Sequence, residues 1–141
     1  KTLSFITEMT SRKLAYSVGY DDAILLDHNG YVAETSSANI FWIKKGKLFT
    51  TPMESGCLEG MTRRHILKIA KQYHIPFGEE NIKIEQLLQA DEIFISSSLK
   101  LIVPVVYIKA DLRYKYPVGV ITKRLRESLY NIIMGVNNGI L

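Results

Sequence analysis

One cysteine, Cys57, stands among 141 residues. A lone thiol excludes an internal disulfide and fits a reducing compartment, so a cytoplasmic location is expected. No apolar stretch approaches the roughly 20 residues a membrane-crossing helix needs, so no membrane partner is expected. Metal-ligand spacing is missing too. His28, His65 and His74 are scattered and Cys57 has no zinc-type neighbour, so no metal is expected and all four read as structural or surface residues. Neither a Gly-x-Gly-x-x-Gly dinucleotide turn nor a P-loop lysine motif occurs. Charge of one sign is in modest excess: 18 Lys and Arg against 14 Asp and Glu leave +4. Lys109, Arg113, Lys115, Lys123, Arg124 and Arg126 make the last third more basic. The tyrosines among them, Tyr107, Tyr114, Tyr116 and Tyr130, follow no RNA-binding pattern. That segment reads as a solvated face with cations on a terminal helix, and no nucleic-acid partner is expected. The chain has no initiator Met and no signal-peptide layout at its start, so it reads as a segment of a longer protein.

What is present is the composition of a globular domain, 47% hydrophobic and 23% charged. Residues 1–141 are expected to form one domain with a real core. Helices and strands alternate without an internal repeat. Leu3 to Ser17 lacks Gly and Pro and suits a helix ended near Gly19. Ala23 to Leu26, Val32 to Thr35, Asn39 to Ile43 and Leu48 to Thr50 read as strands, joined by turns at His28-Asn29-Gly30 and Lys45-Gly46. After Gly60, Ile66, Ile69, Ala70 and Tyr73 recur at helical spacing, and His74 and Pro76 close that helix. Leu87-Leu88 suggests a short helix. Ile93 to Ile95 and Ile102 to Ile108 read as strands interrupted by Ser96-Ser97-Ser98. A last helix follows Pro117 and Gly119, with Ile121, Leu125, Leu129, Ile132 and Ile133 on one face. The sum is a mixed α/β domain.

Three local features point to an anion site. Gly60-Met61-Thr62 opens a helix, where unpaired backbone N–H groups and the helix dipole favour a phosphate and the Thr62 hydroxyl adds a donor. Ser96-Ser97-Ser98 follows a strand and offers further donors. Glu34 ends an apolar strand before a serine-rich segment. Taken singly, each has an ordinary structural reading as a helix cap, a loop and a surface carboxylate.

The order of the motifs carries more. Ala23-Ile24-Leu25-Leu26-Asp27, then Gly30-Tyr31-Val32-Ala33-Glu34-Thr35-Ser36-Ser37-Ala38-Asn39-Ile40-Phe41, resembles the signature of the class IV (fold type IV, D-amino-acid aminotransferase-like) enzymes that use pyridoxal 5'-phosphate (PLP). Gly46-Lys47-Leu48-Phe49-Thr50-Thr51-Pro52 and Leu58-Glu59-Gly60-Met61-Thr62-Arg63 resemble further elements of that family. So do Ala90-Asp91-Glu92-Ile93-Phe94-Ile95 through Pro104-Val105, and Val118-Gly119 followed by Thr122-Lys123-Arg124-Leu125.

The resemblance implies the second, cofactor-anchoring domain of the D-amino-acid aminotransferase-like fold, with a mixed, curved, barrel-like sheet and a preceding domain not included in the chain. It implies a homodimer and a small-molecule amino substrate. It assigns Lys1 as the Schiff-base lysine and Glu34 as partner of the pyridine nitrogen. Met61, Thr62, Ser97 and Ser98 would bind the phosphate, and Leu58 would press on one face of the ring. Ser97-Ser98-Leu99-Lys100-Leu101-Ile102-Val103-Pro104-Val105 and Ala38-Asn39-Ile40-Phe41-Trp42 are similar to the 4-amino-4-deoxychorismate lyases of the family. They imply elimination of pyruvate to give the folate precursor 4-aminobenzoate. A class IV aminotransferase acting on D- or branched-chain amino acids with 2-oxoglutarate is the alternative, and a catalytically silent PLP-fold relative is the non-enzyme alternative. Leu99 is then either a pocket wall or plain core.

Overall fold

The computed structural model describes residues 2–135, with side chains from residue 7 onward. Helix α1 spans Thr2–Ser17 and is followed by a hairpin of β1 (Ile24–Leu26) and β2 (Val32–Thr35). β3 (Asn39–Lys44) and β4 (Lys47–Thr50) form a second hairpin, and a 3-10 turn over Met53–Ser55 leads to α2 (Met61–Gln72). β5 (Phe77–Glu79), α3 (Ile84–Leu87), β6 (Glu92–Ser97), β7 (Leu101–Pro104), β8 (Tyr107–Lys109), β9 (Arg113–Lys115) and α4 (Val120–Ile133) complete the order.

Five strands make the central sheet, in the order β5-β4-β3-β6-β7. Only β4 and β5 run parallel, so the sheet is mixed. Its central strands are buried on both faces, which is why β3 and β6 carry apolar residues almost without alternation. One face holds Phe41, Ile43 and Phe94 against Ile66, Ile69 and Ala70 of α2 and Leu125 and Leu129 of α4. The other holds Ile40, Trp42, Ile93 and Ile95 against Val32, Leu87, Ile108 and Tyr116. Phe41 and Phe94 sit directly opposite in the β3–β6 register and stack with centroids 4.8 Å apart. Glu92, buried at the start of β6, accepts from the Thr122 N–H at 2.8 Å and so caps α4.

The turns follow from residue type. Lys45 and Gly46 both take positive φ, the requirement of a two-residue type I′ hairpin, and they join Lys44 to its partner Lys47. Helix α2 ends in a Schellman motif: His74 stands at φ 56°, its N–H donates to the Lys71 carbonyl and the Ile75 N–H donates to the Ala70 carbonyl. A histidine there bears the left-handed penalty that glycine avoids. His74→Gly is therefore expected to raise stability by about 0.5–1 kcal/mol, net of glycine's larger unfolded-state entropy. Denaturant midpoints of the two proteins check it, and a lowered midpoint contradicts it.

The mixed α/β fold expected from the sequence is the one observed, and among the described residues its sheet is open, with β5 and β7 at the two edges. Three narrower expectations need correction. Ser96 and Ser97 belong to β6, so only Ser98 lies in the interrupting turn. The expected strand over Ile102 to Ile108 is two, because the chain leaves the central sheet after Pro104 and pairs β8 with β9 in a separate ribbon. Ile133 is exposed, and in the last turn of α4 it is Ile132 that packs against the core.

Candidate functional site

One corner of the sheet gathers most of the residues singled out in the sequence. Glu34 lies in β2, a strand whose four residues are all buried. Its Oε2 accepts a hydrogen bond from the Leu58 N–H at 3.1 Å. The carbonyl of the same Leu58 accepts from Asn39 Nδ2 at 2.6 Å. Glu34 and Asn39 thus hold Leu58 from both sides of its backbone. The Leu58 side chain stays 56% exposed, so it is not core packing.

Two residues on, Gly60 is the N-cap of α2 and no side chain caps this end. A Cβ at Gly60 would stand 2.6 Å from Asn39 Oδ1, so only glycine lets the helix start approach β3 this closely. An uncapped start leaves the first backbone N–H groups of α2 directed out of the helix, as an anion requires. Met61 is 63% exposed and Thr62 is buried on this first turn. Arg63, also buried, donates to the Thr51 carbonyl at 3.1 Å and pairs with Glu79 at 2.8 Å, which ties the helix start to β4 and β5.

The third component comes from β6. Asn39 is in register with Ser96, so the end of β6 lies beside the start of β3. Ser96 is 1% exposed and its Oγ has no hydrogen-bond partner among the described residues. Ser97 accepts from the Lys100 N–H at 3.2 Å. Ser98 is exposed in the following turn, and Leu99 beside it is 95% exposed, which excludes the core reading for that leucine.

The structure therefore brings together Glu34, Leu58, Met61 and Thr62, with Ser97 at the end of the neighbouring β6 and Ser98 on the turn that follows. Lys1 lies outside the described residues. Ser96 is singled out in the sequence only as one of the three serines after a strand, whereas Asn39 and Arg63 in this corner, and Asp22 beside it, are residues that sequence reasoning missed. For Asn39 and Arg63 a signal existed, since both sit inside the quoted motifs. Asp22 accepts hydrogen bonds from the Ala23 N–H at 2.8 Å, from Thr35 Oγ1 at 2.9 Å, and from the Ser36 and Ser37 hydroxyls. Burial pushes its carboxyl up, but the bonds from Ser36, Ser37, Ala23 and Thr35 together outweigh burial and hold it below the ordinary carboxylate value. A groove of about 370 Å³ lies between the β6–β7 turn and α4, lined by Lys100, Lys123, Arg126 and Tyr130. Among the described residues no helix is long and apolar enough to cross a membrane.

The amino-transferase class IV family profile matches residues 1–108. The branched-chain-amino-acid aminotransferase of Escherichia coli strain K12 is 37% identical over 117 residues, 83% of this chain and 38% of that protein. A solved aminotransferase from Brucella abortus, bound to the cofactor PLP, superposes with a TM-score of 0.80 at 32% identity, covering 89% of this chain and 44% of that one. A Legionella pneumophila protein provisionally described as a 4-amino-4-deoxychorismate lyase superposes with a TM-score of 0.84 at 26% identity, covering 90% and 47%. The chain thus spans less than half the length of these relatives.

Proposed function

Because this chain belongs to the amino-transferase class IV family, we propose that it is the cofactor-anchoring domain of a PLP-dependent aminotransferase acting on branched-chain amino acids. The observation that carries the choice of reaction is the 37% identity to the Escherichia coli branched-chain enzyme over most of this chain. The lyase expected from Ser97–Val105 has a solved neighbour on its side, at 26% identity. The aminotransferase, the alternative at the sequence level, is therefore the better supported of the two. Exposed Leu99 suits a pocket wall under either reading.

The residues present fit the cofactor's phosphate. The start of α2 is uncapped, and at the same end of the sheet the buried Ser96 hydroxyl has no partner among the described residues. Met61 and Thr62 would hold the phosphate through backbone N–H groups and the Thr62 hydroxyl, with Ser97 and Ser98 adding donors from the β6 side. Glu34 would hold a proton on the pyridine nitrogen, and Leu58 would press on the ring. Lys1 would be the lysine bonded to the cofactor. When bound, PLP supplies an electron sink for charge that develops at the substrate's α-carbon. The preceding domain and a homodimer complete the proposal, and the substrate is a small amino compound.

The test uses the full-length protein. Borohydride reduction after loading with PLP, followed by peptide mapping, is expected to place the label on Lys1; a label on Lys13 would sink that assignment. Leucine with 2-oxoglutarate is expected to exchange amino groups. Formation of 4-aminobenzoate from aminodeoxychorismate without such exchange would restore the lyase, and bound PLP with neither reaction would favour a silent relative.

A further inference from the structure

We infer that Asp22 is a positioning residue of this site: its carboxylate gathers the hydroxyls of Thr35, Ser36 and Ser37 and so sets the turn that joins Glu34 to Asn39. A carboxylate has about four lone-pair directions. All are engaged: Oδ1 takes the Ala23 N–H and the Ser36 hydroxyl, and Oδ2 takes the hydroxyls of Thr35 and Ser37. The connection itself, Thr35-Ser36-Ser37-Ala38, contains neither Gly nor Pro. It has little turn preference of its own beyond what its hydroxyls can bond. Its backbone is tied at two points, by the Thr35 N–H to the Ala38 carbonyl and the Ser36 N–H to the Ala23 carbonyl, both at 2.9 Å. The three side chains converge on Asp22.

The consequence reaches the site through two residues. Glu34 precedes the turn and Asn39 follows it, and these two hold the Leu58 N–H and carbonyl. Gly60 then meets Asn39 and opens α2. One carboxylate beside the corner thus sets the spacing of the two side chains that fix Leu58 and, through it, the helix start. The inference rests on the cofactor reading for its functional consequence, and on the hydrogen bonds alone for its structural one.

Asp22→Asn keeps the shape but leaves one accepting oxygen and no charge. The Thr35 hydroxyl can fall back on the Ala38 carbonyl, 3.1 Å away, but the Ala23 N–H and the Ser36 and Ser37 hydroxyls then compete for the two lone pairs of one oxygen. Asp22→Glu keeps the charge with one extra methylene. In the full-length protein without PLP, amide hydrogen exchange in Asp22→Asn is expected to rise at least tenfold over residues 35–39 and at Leu58. Exchange in α4, on the far side of the central sheet, should stay unchanged. The apparent PLP dissociation constant, read by absorbance, is expected to rise about tenfold, and Asp22→Glu is expected to recover part of both effects. Uniformly faster exchange, unchanged exchange over residues 35–39, or loosened exchange with unaltered PLP affinity would each overturn the inference. Should the unaltered protein bind no PLP, the cofactor reading fails, and exchange at Leu58 alone decides the role of Asp22.

Discussion

Glu34→Gln in the full-length protein is expected to keep PLP bound and to lower turnover roughly 10- to 1000-fold, the range set by the one to three pKa units an adjacent carboxylate contributes. The substitution is a clean probe because of what the carboxylate does in the folded chain. Glu34 Oε2 accepts from the Leu58 N–H at 3.1 Å. A glutamine retains a carbonyl oxygen for that bond, so Leu58 and the start of α2 keep their places. What it loses is the negative charge. On the proposed reading, the side chain without that charge would no longer favour a proton on the pyridine nitrogen, and the stabilisation of charge at the substrate's α-carbon would weaken. Glu34→Ala would remove the charge and the Leu58 contact together, so a larger fall accompanied by weaker PLP binding is expected there. Initial rates with leucine and 2-oxoglutarate, alongside the absorbance of bound cofactor, separate the two variants. Full turnover in Glu34→Gln with PLP bound would remove Glu34 from the chemistry.

Phe41→Ala is expected to lower folding stability by about 3–5 kcal/mol, the range for deleting a buried aromatic side chain. Phe41 is fully buried in β3, the central strand of the sheet, and stacks on Phe94 across the β3–β6 pair. The same cavity would adjoin Ile66 and Ile69 of α2 and Leu125 of α4, so three elements lose contacts at once. A fully buried site of this kind cannot collapse without moving either helix. Leu112→Ala is the matched control: that side chain is exposed, and a change within about 0.5 kcal/mol is expected. Denaturant unfolding of both variants decides, and a Phe41→Ala loss no larger than the control's would show that the β3–β6 face is not the centre of the core. Phe41 stands two residues beyond Asn39, so the stability of this strand and the geometry of the site share one element.

Much of the order of elements is legible because its signals are local. Val32–Thr35 reads with its observed bounds, and Asn39–Lys44 and Lys47–Thr50 each read one residue short. Lys45-Gly46 announces its own hairpin, since positive φ at two adjacent positions is a property of the turn residues. The stripe of Ile66, Ile69 and Ala70 announces a buried helix face. The motif order further identifies the family, because Glu34, Leu58, Thr62 and the β6 serines each belong to a short contiguous pattern.

What stays hidden depends on pairings between distant positions. Ser96 looks like part of a loop because serine has weak strand preference, and only its partner Asn39 across the β3–β6 register draws it into the sheet. Asp22 looks like one of two adjacent aspartates before a strand. Its role exists because the β1–β2 hairpin returns Thr35, Ser36 and Ser37 to it across 13 to 15 residues. The open sheet is equally invisible: whether β5 and β7 meet depends on the path after Pro104, not on any strand's own pattern. Local sequence by itself determined which segments are helix or strand, where the tight turns fall, and the family to which the motifs belong, because backbone preference and side-chain period act within a few residues. Tertiary structure alone decided that Glu34 and Asn39 clasp Leu58 and that Gly60 brings α2 against β3. It also decided that Asp22 orders the turn between them, because hydrogen bonds made across the fold carry no periodic trace along the chain.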